Sequence, residues 1–123
     1  MKIPKNNQTV MPYIILENAA GFILFTQKVF GAKEISKSMR EENVIMHAEI
    51  MIGDSTIMFA DATEQFKSSN AGLFVYVENA DETFKKATRE GATVVREITD
   101  ESYGRSGGIK DPFGNTWWIT AVK

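Results

Sequence analysis

The sequence predicts an α+β fold of two tandem βαβββ modules whose curved, mixed but mostly antiparallel sheets surround a cavity. Three observations predict it. The chain repeats itself: IILENAAGFILFTQKVFGAKEI (14–35) lies over FVYVENADETFKKATREGATVV (74–95), with Glu-Asn-Ala at 17–19 and 78–80 and Gly-Ala at 31–32 and 91–92. Each copy passes from an apolar run into a helical stripe. Three strand-length segments then follow each stripe.

Each copy opens with an apolar run suited to a strand buried on both faces, followed by an asparagine, Asn18 or Asn79, placed to cap a helix. In the first helix Phe22, Phe25 and Val29 make the stripe, and Ile23, Leu24 and Phe30 add apolar surface beyond one face, a hint of a partner subunit. In the second helix Asn79 and Glu82 form a capping-box pattern, Phe84 and Ala87 make the stripe, and Gly91 ends it. The expected strands span 33–40, 44–52 and 55–61 in the first copy, then 93–98, 104–110 and 115–122 in the second. Gly53-Asp54 turns one hairpin. Pro112-Phe113-Gly114 turns the other, with proline presetting φ and glycine accepting φ > 0.

With 123 residues and 43% apolar composition, the chain is expected to be a single domain over 1–123, with module one about 10–62 and module two about 70–122. It has no cysteine, which excludes disulfides, thiolate metal sites and cysteine nucleophiles. The start, MKIPKNNQTV, lacks an apolar signal core, and no run has the length of a membrane span, so a cytoplasmic protein is expected. A net charge of −2 with scattered Lys and Arg leaves no footprint for nucleic acid. A small organic ligand and a homodimer are the expected partners.

The duplicated pattern, with GRSGGIKDPFGNTWWIT near the C-terminus and MHAEIMIGDSTIMFAD at 46–61, resembles the vicinal oxygen chelate superfamily. Its members include glyoxalase I, bleomycin- and fosfomycin-resistance proteins and extradiol dioxygenases, and the likeness is greatest to its PhnB-like branch. In the enzymes of that superfamily a divalent metal sits in the cavity, held by His, Glu or Gln from the first and last strand of each module. The resemblance carries those positions onto Pro12, Met58, Leu73 and Trp118. Proline, leucine and tryptophan offer no side-chain lone pair for such an ion, and a thioether is too soft, so no metal and no cofactor is expected.

Adjacent strand residues point to opposite faces, so only one of Trp117 and Trp118 can line the cavity. The resemblance assigns that wall to Trp118 and leaves Trp117 beneath the helices. With a three-residue loop at 112–114, Gly108 opposes Trp118 and leaves room for its indole. A two-residue loop at Gly53-Asp54 pairs Glu49 with Met58, which turns His47 and Glu49 to the same face as Met58. The PhnB-like branch often carries this HAE motif. Gly104-Arg105-Ser106-Gly107-Gly108 matches the nucleophile-elbow pattern G-x-S-x-G, but a strand follows it where a helix is required.

The expected function is metal-independent binding of a small organic molecule, flat or aromatic to suit an indole wall. Pro12, Ile14, Leu16, Met58, Leu73 and Trp118 would supply apolar surface, and His47, Glu49 and Arg105 orientation. Bleomycin-binding relatives imply that such a fold can sequester a ligand without catalysis. The alternative is an enzyme, either a metal-dependent isomerase, lyase or dioxygenase, or a metal-free acid/base catalyst using His47 and Glu49.

Overall fold

The computed structural model describes residues 1–123. The order of elements is β1 (Tyr13–Leu16), α1 (Ala19–Phe30), β2 (Lys33–Glu41), β3 (Val44–Ile52), β4 (Ser55–Asp61), β5 (Gly72–Val77), α2 (Ala80–Arg89), β6 (Thr93–Glu101), β7 (Gly104–Lys110) and β8 (Thr116–Val122). This is βαβββ twice, an α+β fold. Two compact units result, residues 1–27 with 31–70 and residues 28–30 with 71–123. Each holds an open four-stranded sheet, ordered β1-β4-β3-β2 in the first and β5-β8-β7-β6 in the second. In both, the first strand pairs parallel with the last and the remaining ladders are antiparallel.

In the first unit Asn18 caps α1, its side chain accepting from Gly21 N at 3.0 Å. The first turn carries no acid of its own. Asp61, at the end of β4, supplies one, accepting from Ala19 N and from Ile45 N, both at 2.7 Å. A single carboxylate thereby ties the positive end of the helix to β3. Phe22 packs edge-on to Phe59 at 4.9 Å. Ile14, Phe59 and Ala48 pair across β1, β4 and β3 and are all buried, which defines the covered face of this sheet. Ile23 is buried as well, so of the three extra apolar residues read from α1, Leu24 is the one that is mostly exposed.

In the second unit Asn79 accepts from Glu82 N at 3.0 Å, while the Glu82 side chain pairs with Lys86. Ala80, Thr83, Phe84 and Ala87 form the buried face of α2, which packs on β6, β7 and β8. Beneath them Trp117 and Ile119 of β8 and Ile109 of β7 are fully buried. Trp117 donates Nε1–H to Asp111 Oδ2 at 2.8 Å, and its ring lies 4.5 Å from that of Phe30. Asp111 also accepts from Phe113 N and Asn115 N, both at 2.9 Å, which builds the turn before β8. Asn115 Oδ1 in turn accepts from Ala71 N and anchors the start of β5.

Truncating Trp117 removes the largest buried side chain and leaves Asp111 short of a donor. Trp117→Ala is expected to cost about 3–5 kcal/mol, as large core truncations do. Urea unfolding measures it, and a loss near zero would refute this account of the second core.

Candidate functional site

Each sheet leaves one face uncovered by its own helix, and register decides what stands there. Across the first sheet, Tyr13 pairs with Met58, Met58 with Glu49, and Glu49 with Ser36. Paired residues share a face. One row therefore runs Tyr13, Met58, Glu49, Ser36, on the side opposite Ile14 and Phe59. Across the second sheet, Phe74 pairs with Trp118, Trp118 with Gly108, and Gly108 with Arg96. Its row is Phe74, Trp118, Gly108, Arg96, opposite Trp117.

The first row carries a chain of hydrogen bonds. Tyr13 Oη lies 3.1 Å from His47 Nδ1, and His47 Nε2 lies 3.0 Å from Glu49 Oε2. Asn7 Nδ2 donates to the other carboxylate oxygen at 2.9 Å. Asn7 belongs to an N-terminal segment fixed on β4, where Thr56 N donates to Gln8 Oε1 and the Thr56 hydroxyl to the Asn6 carbonyl. The Glu49 carboxyl is held below its ordinary value, first by the Asn7 bond and then by His47, with burial opposing them.

On the second row Trp118 lies so close over Gly108 that a Cβ there would come within 2.5 Å of the indole. Only glycine admits the ring in this position. The Arg96 guanidinium sits 5.3 Å from the Trp118 ring centre, a cation–π distance, and its nearest carboxylate, Glu101, is at 3.9 Å. Phe74 and Tyr76 are more than half exposed, and their rings lie 5.2 Å apart.

Of the residues singled out in the sequence, His47, Glu49 and Met58 share the open face of the first sheet, and Trp118 stands on that of the second. Ile14 and Leu16 do not join the first group. Both are buried, and Ile14 pairs with Phe59 on the covered face. Pro12 precedes β1, and its carbonyl accepts from Met58 N. Leu73 pairs with Trp117 and so lies on the helix side. Tyr13 and Phe74, one residue further along in each module, take the open-face positions assigned to Pro12 and Leu73.

Arg105 does not stand on the open face. It pairs with Ala121, on the helix side of β8, and reaches Asp81 in the first turn of α2 with two hydrogen bonds of 2.8 and 3.1 Å. A third, of 3.0 Å, goes to Asp100. These carboxylates raise the arginine pKa further, and Arg105 depresses that of Asp81. Such a guanidinium has its charge answered within the chain. Arg96 is the cation beside Trp118.

Residues 13–119 match the Glyoxalase/Bleomycin resistance protein/Dioxygenase superfamily. The chain belongs to this superfamily. It is 30% identical over 118 residues to the uncharacterised protein Mb0911c of Mycobacterium bovis, covering 86% of this chain and 78% of that one. Its fold is similar to that of TioX from Micromonospora sp. ML1, with a TM-score of 0.77 at 19% identity, covering 95% of this chain and all of that one. It is also similar to that of a PhnB protein from Bacillus cereus, with a TM-score of 0.71 at 18% identity over 94% of this chain and all of that one.

The glyoxalase superfamily's divalent metal does not fit the donors present. The open-face residues of the first and last strands are Tyr13 with Met58 in one module and Phe74 with Trp118 in the other. Those pairs offer one phenol, one soft thioether and two carbon-faced rings in place of imidazoles and carboxylates. No three His, Asp or Glu side chains are grouped to share an ion.

The depressed pKa of Glu49 makes a stability prediction. A carboxyl whose folded-state pKa is lowered adds stability that is complete above its unfolded value and is lost as pH falls through the folded one. The stability difference between the native protein and Glu49→Gln is therefore expected to be constant well above pH 4.5 and to shrink below it. Asn7→Ala should move that loss to higher pH. Urea titrations across acidic pH measure both, and a difference independent of pH there would refute the assignment.

Proposed function

We propose that this glyoxalase-superfamily chain is a metal-independent binding protein for a small, flat organic molecule, taken on the open face of the second sheet with Trp118 as its main contact. The row Phe74, Trp118, Gly108, Arg96 carries the reading. It joins an aromatic surface to a cation whose ion pair with Glu101 is long, at 3.9 Å. An indole gives large contact area with little side-chain entropy to lose, and a guanidinium held beside it can pair with an anionic group on the ligand. The donor set described above favours recognition without an ion. The name TioX belongs to a protein of similar fold alone and lends no ligand to this one.

In this reading the protein works in the cytoplasm, in keeping with a sequence free of cysteine, and as a homodimer. Leu24 on α1 of the first unit and, separately, Phe74 and Tyr76 on β5 of the second expose apolar side chains suited to a partner subunit or ligand. Light scattering is expected to give twice the chain mass at micromolar concentration, and a monomer mass throughout would refute the dimer.

Calorimetric titration with naphthoate, a planar aromatic carboxylate, tests the site. Trp118→Ala is expected to weaken binding by at least about tenfold, as loss of a central aromatic contact does, with only a modest loss of stability because the ring is not in the helix-side core. Unchanged affinity in Trp118→Ala, or no binding by the native protein, would overturn the reading.

A further inference from the structure

We infer that Tyr13, His47 and Glu49 form a proton relay that makes the open face of the first sheet a metal-free general-base site for small carbon acids. The relay is independent of the binding reading, since its residues stand on a different sheet from Trp118. Its order is hydroxyl, imidazole, carboxylate, the arrangement by which a base activates a hydroxyl and is itself oriented by a third group.

The hydrogen positions follow from the partners. Glu49, its carboxyl held below the ordinary range, is ionised at neutral pH and can only accept. His47 Nε2 therefore carries the hydrogen shared with Glu49 at 3.0 Å, and Nδ1 offers its lone pair to Tyr13 Oη at 3.1 Å. Tyr13 must then donate inward. The lone pairs of its oxygen point outward from a side chain that is half exposed. Asn7, donating to Glu49 Oε1, holds the carboxylate so that its second oxygen meets the imidazole.

A substrate proton can be taken by Tyr13 Oη because the hydroxyl's own proton crosses to His47 Nδ1 in the same step. The electron pair of the broken C–H bond stays with the substrate, and the imidazolium formed is stabilised by Glu49. The proton returns by the same path when the product is reprotonated or leaves. Tyr13 is the catalytic residue, and His47 and Glu49 act through it. The substrate class follows from the surroundings. Met58 pairs with Tyr13, and Ile15 pairs with Ala60 on the same face, so the positions beside Tyr13 on β1 and β4 are apolar. They suit a C–H group and supply no donors for the oxyanion that acyl transfer would develop.

The test uses nitrobenzisoxazole, a carbon acid whose ring opens when a base removes its one acidic C–H proton. That C–H pair forms the nitrile, the N–O bond breaks, and a coloured cyanonitrophenolate leaves, with no co-reactant. The native protein is expected to accelerate the elimination about 10²-fold over Tyr13→Phe, a usual yield of positioned general-base catalysis. His47→Gln and Glu49→Gln should lower kcat while leaving KM for the probe unchanged, and because loss of folded protein would do the same, the circular dichroism of each variant at the assay temperature should match that of the native protein. Tyr13→Phe removes a single exposed oxygen, and its thermal melt should match the native one. Equal rates for the native protein and Tyr13→Phe would overturn the relay, whatever the naphthoate titration gives. Loss of naphthoate binding alone would leave the relay standing.

Discussion

The hydrogen bond from Trp117 Nε1 to Asp111 fixes which way the second sheet faces. The carboxylate is buried and already committed to the backbone of the turn, accepting from Phe113 and Asn115. A donor two residues into β8 can reach it only from one side of the strand. That choice sets the parity of every residue after it: Trp117 and Ile119 under α2, Trp118 and Thr120 away from it. A slip of one residue would orphan Asp111, bury the wrong indole and drive a side chain against Gly107 or Gly108. The open-face row is thus specified by a contact on the other face.

The two modules share architecture and differ in chemistry at the same places. Tyr13, Met58, Glu49 and Ser36 occupy, strand for strand, the row that Phe74, Trp118, Gly108 and Arg96 occupy in the second sheet. On the first, the third strand carries an acid, kept ionised by Asn7 and His47. On the second, the same strand carries glycine, which surrenders its space to the neighbouring indole. The two modules share strand order and pairing, and the residues of their open faces differ. Alternation makes this possible, because a change on one face leaves the packing of the other untouched.

The strands, both hairpin registers and the opposite facings of the tryptophans were legible in the sequence, since turns with glycine and proline at fixed places allow residues to be counted across antiparallel pairs. The pairings of Glu49 with Met58 and of Gly108 with Trp118 follow from such counting. β1 and β5 resisted it. They join the sheet in parallel at the end of a long connection, and the metal positions that the resemblance carries onto Pro12 and Leu73 fall one residue before Tyr13 and Phe74, which pair with Met58 and Trp118. Arg96 was hidden for a related reason. Register shifts on either side of it in β6 break any count from the β6–β7 turn. Asn7 lies in a polar segment without periodicity, and nothing local announces its reach to Glu49.

Tyr13, Met58, Phe74 and Trp118 on the open faces bear on what the proposed binding can select. An ion fixes a substrate through its own charge and coordination directions, so the surrounding wall need only be the right size. In the proposed reading, orientation of a ligand on the second sheet falls to contacts of short range: stacking on the Trp118 indole and pairing with Arg96. Each needs the ligand's shape and charge to match over several points at once. That demand explains why the polar groups on these faces are held in place by partners rather than left free. Arg96 is steadied by Trp118, and Glu49 by Asn7. Side chains ordered before a ligand arrives lose little entropy on binding it, so the binding proposed above would draw its specificity from contacts already in place.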